Sequence, residues 1–129
     1  NFCVYDSTWE ATEAFALDRN PAVQAWAKND HLGFEIFYLY QGYVRRYRPD
    51  YLIRLENGEY LVLETKGQDS QQNKAKRAAL AEWVRAVNGH GGFGTWHCDV
   101  SFNTADVEGI IAKYTPDKQP TGHVESLTV

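Results

Sequence analysis

Tyr47-Arg48-Pro49-Asp50-Tyr51 and, beyond a turn, Leu61-Val62-Leu63-Glu64-Thr65-Lys66-Gly67 decide how this chain is read. The first piece places an acid after a proline at a strand start. The second ends a strand on an acid and a lysine two residues apart. Side chains two apart on a strand share a face and sit about 6 to 7 Å apart along it. Glu64 and Lys66 therefore point the same way. Leu52, Ile53, Leu55, Leu61, Val62 and Leu63 fill both faces of the two strands. Such strands belong inside a covered sheet, where an unpaired acid is costly. Two carboxylates and an ammonium then converge on one spot. Hard oxygen ligands suit Mg²⁺ or Mn²⁺, and a lysine beside such a cation helps to activate water and to offset charge building on a phosphate. The plainer reading of Glu64 and Lys66 is a surface pair at a strand end, which contributes little to stability.

The turn between the two pieces, Glu56-Asn57-Gly58-Glu59, is a strong hairpin signal. A simple two-residue Asn-Gly turn sets Asp50 opposite Thr65 and Glu64 opposite Tyr51, which puts the two acids on different faces. The chemistry therefore requires a one-residue slip, from a three-residue loop or from a bulge near Pro49.

With 129 residues, 43% of them hydrophobic, the chain is expected to be one domain with a substantial core. A net charge of −4 argues against a free-standing, sequence-independent nucleic-acid binder, which is normally basic. No methionine is present, so the chain reads as a domain cut from something longer. No leader and no membrane-length apolar run appear. Cys3 and Cys98 read as free thiols in a reducing compartment, which makes the cytoplasm the expected location. His97-Cys98 is adjacent while His31, His90 and His123 are scattered, without the spacing of a zinc site. The chain has no GxxxxGK[ST] loop for a nucleotide, and no supporting motif for a serine or cysteine nucleophile. Residues 1–6 and about 115–129 read as loose ends.

Ser7-Thr8-Trp9-Glu10 fits a capping box and predicts a helix from about Thr8 to Asp18. Glu10 and Glu13 either reach a site over the sheet or serve as cap and solvated flank. Asn20-Pro21 predicts a second, shorter helix with Ala22, Val23, Trp26 and Ala27 as its stripe. Phe34 to Tyr40 reads as the first strand, and Gln41-Gly42 turns it into a second that carries Tyr43 to Arg48. Arg45, Arg46 and Arg48 interleave with Tyr43, Tyr47 and Tyr51, a mixture that suits a phosphate backbone or forms a polar strand face. A long helix is expected from Gln71 to Val87, with Gln71 and Lys74 close to the end of the Glu64-Lys66 strand. Thr95 to Phe102 is the fourth strand, and Asn103 caps a last helix reaching about Tyr114.

The order is helix, three strands, helix, strand, with one helix inserted and one appended. Together with Pro49-Asp50 and Glu64-Thr65-Lys66 it resembles the PD-(D/E)xK nuclease superfamily over residues 7–102. The likeness is strongest to the nuclease domain at the C-terminal end of type III restriction enzyme subunits and related helicase-nuclease proteins. The pieces that carry it further are Ser7-Thr8-Trp9-Glu10, Trp26-Ala27-Lys28-Asn29 and Trp83-Val84-Arg85-Ala86-Val87-Asn88.

The resemblance implies an α/β fold of restriction-endonuclease-like αβββαβ type, with a mixed central sheet of about four strands flanked by helices. It implies Mg²⁺-dependent hydrolysis of DNA, Mn²⁺ substituting, with catalytic Asp50, Glu64 and Lys66. The metal ligands it implies are Asp50, Glu64, the carbonyl of Thr65, and Glu10 in preference to Glu13. Arg46, Arg48, Gln71 and Lys74 are the candidate DNA contacts. The implied partners are DNA, a helicase or ATPase motor in the same parent chain and a modification methyltransferase subunit, with no membrane. The alternatives are an inactive module of the same fold that binds DNA or another partner, and a nuclease acting on RNA or branched DNA.

Overall fold

The computed structural model of the chain describes residues 8–30, 32–65 and 70–116. Helix α1 (Thr8–Arg19) forms where the sequence expects it; Ser7, its expected cap, lies outside the described residues. Residues 20–27, expected as a short helix, instead form a turn and strand β1 (Val23–Lys28). Asn20 closes the turn: its Oδ1 accepts from the Ala22 N–H and its carbonyl from the Val23 N–H. The segment then pairs antiparallel with strand β4 (Tyr51–Leu55), and Trp26 meets the Tyr51 ring edge-on at 5.7 Å. Pairing along a strand outweighs a helical spacing that rests on four small or aromatic residues.

Strands β2 (Ile36–Tyr40) and β3 (Tyr43–Tyr47) form a hairpin that is a sheet of its own. Gln41 and Gly42, at φ 53° and 80°, make the left-handed two-residue turn whose twist suits a hairpin. These strands were expected to open the central sheet, and they stand outside it. The central sheet runs β1-β4-β5-β6, with β5 at Tyr60–Thr65 and β6 at Trp96–Ser101. Its first three strands are antiparallel neighbours, whereas β5 and β6 are parallel and joined through helix α2 (Gln71–His90). Helix α3 (Asp106–Tyr114) starts later than Asn103, because Asn103 is spent on a turn. Its Oδ1 accepts from the Ala105 N–H and its carbonyl from the Asp106 N–H. Among the described residues the fold is thus mixed α and β, a four-stranded mixed sheet and a two-stranded hairpin with three helices, as the α/β expectation has it.

Two apolar layers cover the sheet. Tyr51, Ile53 and Leu55 of β4 and Leu61 and Leu63 of β5 pack against Leu17 of α1 and Val107, Ile110 and Ile111 of α3. Each such side chain, fully buried, contributes about 1.5 to 3 kcal/mol. On the other face Val62 meets Leu80 and Val84 of α2 and Ile36, Tyr38 and Tyr47 of the hairpin. The hairpin is therefore a lid over one end of the sheet, held there by α2. Among the described residues no helix is long and apolar enough to cross a membrane.

The β4–β5 register decides the site. Tyr51 pairs with Leu63, Leu52 with Val62 and Ile53 with Leu61. Continuing by one step sets Asp50 across from Glu64, on one face. The slip comes from the loop. The Leu55 N–H donates to the Glu59 carbonyl and the Gly58 N–H to the Leu55 carbonyl, which leaves residues 56–58 as a three-residue turn. Gly58 closes it at φ 88°, in the left-handed region that glycine enters without strain.

Candidate active site

Pro49 cannot donate to a ladder, so the chain between β3 and β4 needs another anchor. Asn29, buried at the end of β1, provides it. Its Nδ2 donates to the Pro49 carbonyl at 2.9 Å and to the Phe34 carbonyl at 2.9 Å. Its N–H donates to the Asp50 carbonyl at 2.8 Å. The side chain thus ties the entry of the hairpin to its exit, and the main chain of the same residue fixes the backbone of Asp50.

The Asp50 carboxylate is held next. Its Oδ2 accepts from the Thr65 N–H at 2.8 Å and from the Thr65 hydroxyl at 3.0 Å. Thr65 was expected to offer its carbonyl, and its two donors are spent on Asp50. Glu64, 8% exposed, shares that face with Val62. The Tyr47 hydroxyl, carried by the hairpin, donates to Glu64 Oε1 at 2.7 Å. Burial pushes the Glu64 carboxyl above the ordinary carboxylate range. The Tyr47 bond opposes that, the Asp50 charge adds to it, and Lys76 and Arg77 of α2 oppose it again. Burial, with Glu64 beside it, raises Tyr47 far above the usual phenol range, so the hydroxyl stays protonated and donating.

The sequence-based candidates thus divide. Asp50, Glu64 and Thr65 come together. Lys66 and the side chain of Glu10 lie outside the described residues. Glu13, for which the sequence left open a site acid or a solvated flank, is no solvated flank: it is 1% exposed and sits four residues from buried Leu17 on the inner face of α1. Arg46 and Arg48 are exposed on the hairpin, and both pair with Glu35, at 3.6 Å and 3.0 Å. Because side chains alternate along β3, they point away from the face that Tyr47 turns to Glu64. Gln71 and Lys74 are exposed at the start of α2, which Ser70 caps by accepting from the Asn73 N–H.

Four contributors went unread in the sequence. Tyr47 was grouped with the arginines as a stacking residue, although strand alternation separates it from Arg46 and Arg48. Lys76 and Arg77, two and three residues beyond Lys74, are the α2 cations that act on Glu64, and the Lys76 ammonium lies 5.6 Å from the Tyr47 ring centre. Asn29 entered the sequence reading only as the end of Trp26-Ala27-Lys28-Asn29, one of the pieces that carry the resemblance, with no role of its own.

A pocket of about 180 Å³ opens beside Glu64, lined also by Arg77, Leu80, Cys98, Asp99 and Val100. Cys98 is a free thiol. Among the described residues no group of three His, Cys, Asp or Glu side chains gathers as a metal site. What the described chain supplies toward a cation is the acid pair. Asp50 Oδ1 and Glu64 Oε2 carry no hydrogen bond among the described residues, in contrast to their sister oxygens. Two monodentate carboxylates fit Mg²⁺, which keeps several waters and takes one or two carboxylates plus substrate phosphates. Comparison with protein-family models, with curated proteins and with solved structures finds no match to this chain.

Proposed function

We propose that this chain hydrolyses DNA phosphodiester bonds with a divalent metal, as a nuclease domain of the PD-(D/E)xK type resembling that of type III restriction enzyme subunits. The observation that carries the reading is the placement of Asp50 and Glu64 on one sheet face, each held by a donor on one oxygen. The order of elements adds to it. With the β2–β3 hairpin set aside as an insertion, α1, β1, β4, β5, α2 and β6 run αβββαβ.

A bound Mg²⁺ or Mn²⁺ supplies Lewis acidity at the phosphate and lowers the pKa of its water. Asp50 and Glu64 hold it, with the Thr65 carbonyl and Glu10 as the further ligands that the resemblance implies. Lys66, two residues past Glu64, orients the attacking water and offsets charge on the phosphate. Lys76 and Arg77 bring positive charge to the same spot. The motor domain of a longer parent chain provides most of the grip on DNA, which reconciles the activity with a net charge of −4. A methyltransferase subunit and a cytoplasmic setting complete the proposed context.

Cleavage of supercoiled plasmid and of a labelled single strand, with Mg²⁺, with Mn²⁺ and with chelator, tests the reading. Asp50→Asn is the control, because its amide oxygen still accepts from Thr65 and the fold is kept. Metal-dependent cutting that disappears in Asp50→Asn supports the proposal. Cutting that persists in that variant defeats the assignment of Asp50. If neither substrate is cut, the parent protein with ATP separates an inactive module from a domain that needs its motor.

A further inference from the structure

Tyr47 is among the least exposed aromatic side chains of the hairpin, and its hydroxyl is committed to a carboxylate. A tyrosine in a lid needs only its ring to pack. We infer that Tyr47 is a positioning residue that leaves Glu64 one oxygen for a cation and so makes the acid pair selective for Mg²⁺ and Mn²⁺ over Ca²⁺. This rests on the acid pair being a metal site, as proposed above.

The geometry gives each carboxylate the same treatment. Tyr47 occupies Glu64 Oε1 at 2.7 Å, and Thr65 occupies Asp50 Oδ2 with two donors at 2.8 Å and 3.0 Å. Asp50 Oδ2, with two donors, has no lone pair left for a cation, and Glu64 Oε1 keeps only the one that Tyr47 leaves, so a two-oxygen grip by either acid is penalised. The Tyr47 bond is rigidly backed. Its backbone is paired with Ile36 in the hairpin, its ring packs with Val62, Leu80 and Val84 of the same cluster, and the Lys76 ammonium lies over that ring. Ca²⁺ takes six to eight oxygens and often uses bidentate carboxylates, whereas Mg²⁺ holds to six in octahedral geometry and retains its waters. A pair limited to one oxygen each suits the smaller ion. Selectivity here is a difference of affinities, enforced by withholding the second oxygen that Ca²⁺ would use.

Tyr47→Phe keeps the ring and releases Glu64 Oε1. Loss of such an outer partner typically lowers metal affinity about 10- to 100-fold. The test is calorimetric titration of the whole chain with MnCl₂ and, separately, CaCl₂, on the wild type, Tyr47→Phe and Tyr38→Phe, each checked for folding by circular dichroism. The wild type is expected to bind Mn²⁺ at least about 10-fold more tightly than Ca²⁺, a ratio that Tyr47→Phe narrows by weakening Mn²⁺ and by giving Ca²⁺ the released Glu64 Oε1. Tyr38→Phe removes a buried hydroxyl of the same hairpin, one that accepts from Gln72 rather than holding an acid, and should leave the ratio as it is. A wild type that binds Ca²⁺ as tightly as Mn²⁺ overturns the inference without any variant. A folded Tyr47→Phe with an unchanged ratio also overturns it, while leaving the metal site standing. A wild type that binds neither ion defeats the metal reading, and the inference with it. A role confined to packing would lower the melting temperature and leave the ratio alone.

Discussion

Glu64 sits where the hairpin has removed water from a charge, and its raised pKa has a consequence for folding. A carboxyl that is harder to ionise in the fold keeps its proton to higher pH there than in the unfolded chain. Stability is then fully present below the ordinary value of 4.5 and falls as pH rises from there through the raised folded value, flat above it. Glu64→Gln removes that loss and still accepts from Tyr47. In chelator it should be more stable than the wild type at neutral pH and should lack the decline, as denaturant unfolding from pH 4 to 8 would measure. A wild type of constant stability across that range would contradict the account. Asp50 differs, because its Oδ2 satisfies both donors of Thr65. Asp50→Ala leaves those donors without their acceptor and should cost about 1 to 3 kcal/mol, whereas Asp50→Asn keeps an accepting oxygen and should stay close to wild type. Equal stability of the two variants would mean that the Thr65 bonds contribute little. At this scale the acids were legible from type and spacing, and Tyr47 was not. A tyrosine among arginines looks like a stacking surface until the alternation of β3 shows which way it turns.

The β4–β5 turn is the element on which the site depends. An Asn-Gly pair in a two-residue turn would have sent Asp50 and Glu64 to opposite faces, and the third loop residue brings them together. Gly58 has open space around it, so Gly58→Ala meets no clash and is penalised only by its φ of 88°. That left-handed cost is about 1 to 2 kcal/mol, read as a shift in the unfolding midpoint. Because the bond from the Leu55 N–H to the Glu59 carbonyl fixes the register, metal binding should survive the substitution; a variant that loses metal binding without losing the fold would show that the glycine sets the register itself. Other elements show where sequence reading ends. Strands β4, β5 and β6 and helices α1 and α2 were legible from continuous apolar runs, a cap and a long periodic stripe. Strand β1 was not, because Ala22, Val23, Trp26 and Ala27 satisfy a helical stripe as well as a strand, and only pairing with β4 decides between them. The hairpin was legible as a hairpin, but its departure from the central sheet was not. Its inner residues Ile36, Tyr38 and Tyr47 would be buried equally well by sheet neighbours or by α2.

At the scale of the molecule the charge is unevenly placed. Of 13 Lys and Arg residues, Arg45, Arg46 and Arg48 lie on β3 or one residue past it and Lys74, Lys76 and Arg77 on the first half of α2, two elements that meet over the acid pair, in a chain whose net charge is −4. A polyanion is therefore expected to bind at that end of the sheet, with an affinity that falls as salt rises, by about 0.9 in logarithmic slope per phosphate neutralised. The two elements should not contribute alike. Arg46 and Arg48 already pair with Glu35 and project from the outer face of the hairpin, so recruiting them to phosphate means giving up an ion pair. Lys76 and Arg77 act on Glu64 itself, where a phosphate bound to the pair would sit. The combined Lys76→Ala and Arg77→Ala variant should lower the salt slope of DNA binding by about two, one for each lost phosphate contact. The combined Arg46→Ala and Arg48→Ala variant should change it much less. Fluorescence anisotropy of a labelled duplex between low and moderate salt measures both slopes. The reverse ranking would move the DNA path onto the outer face of the hairpin, away from Asp50 and Glu64, and would separate binding from the cleavage proposed for this site.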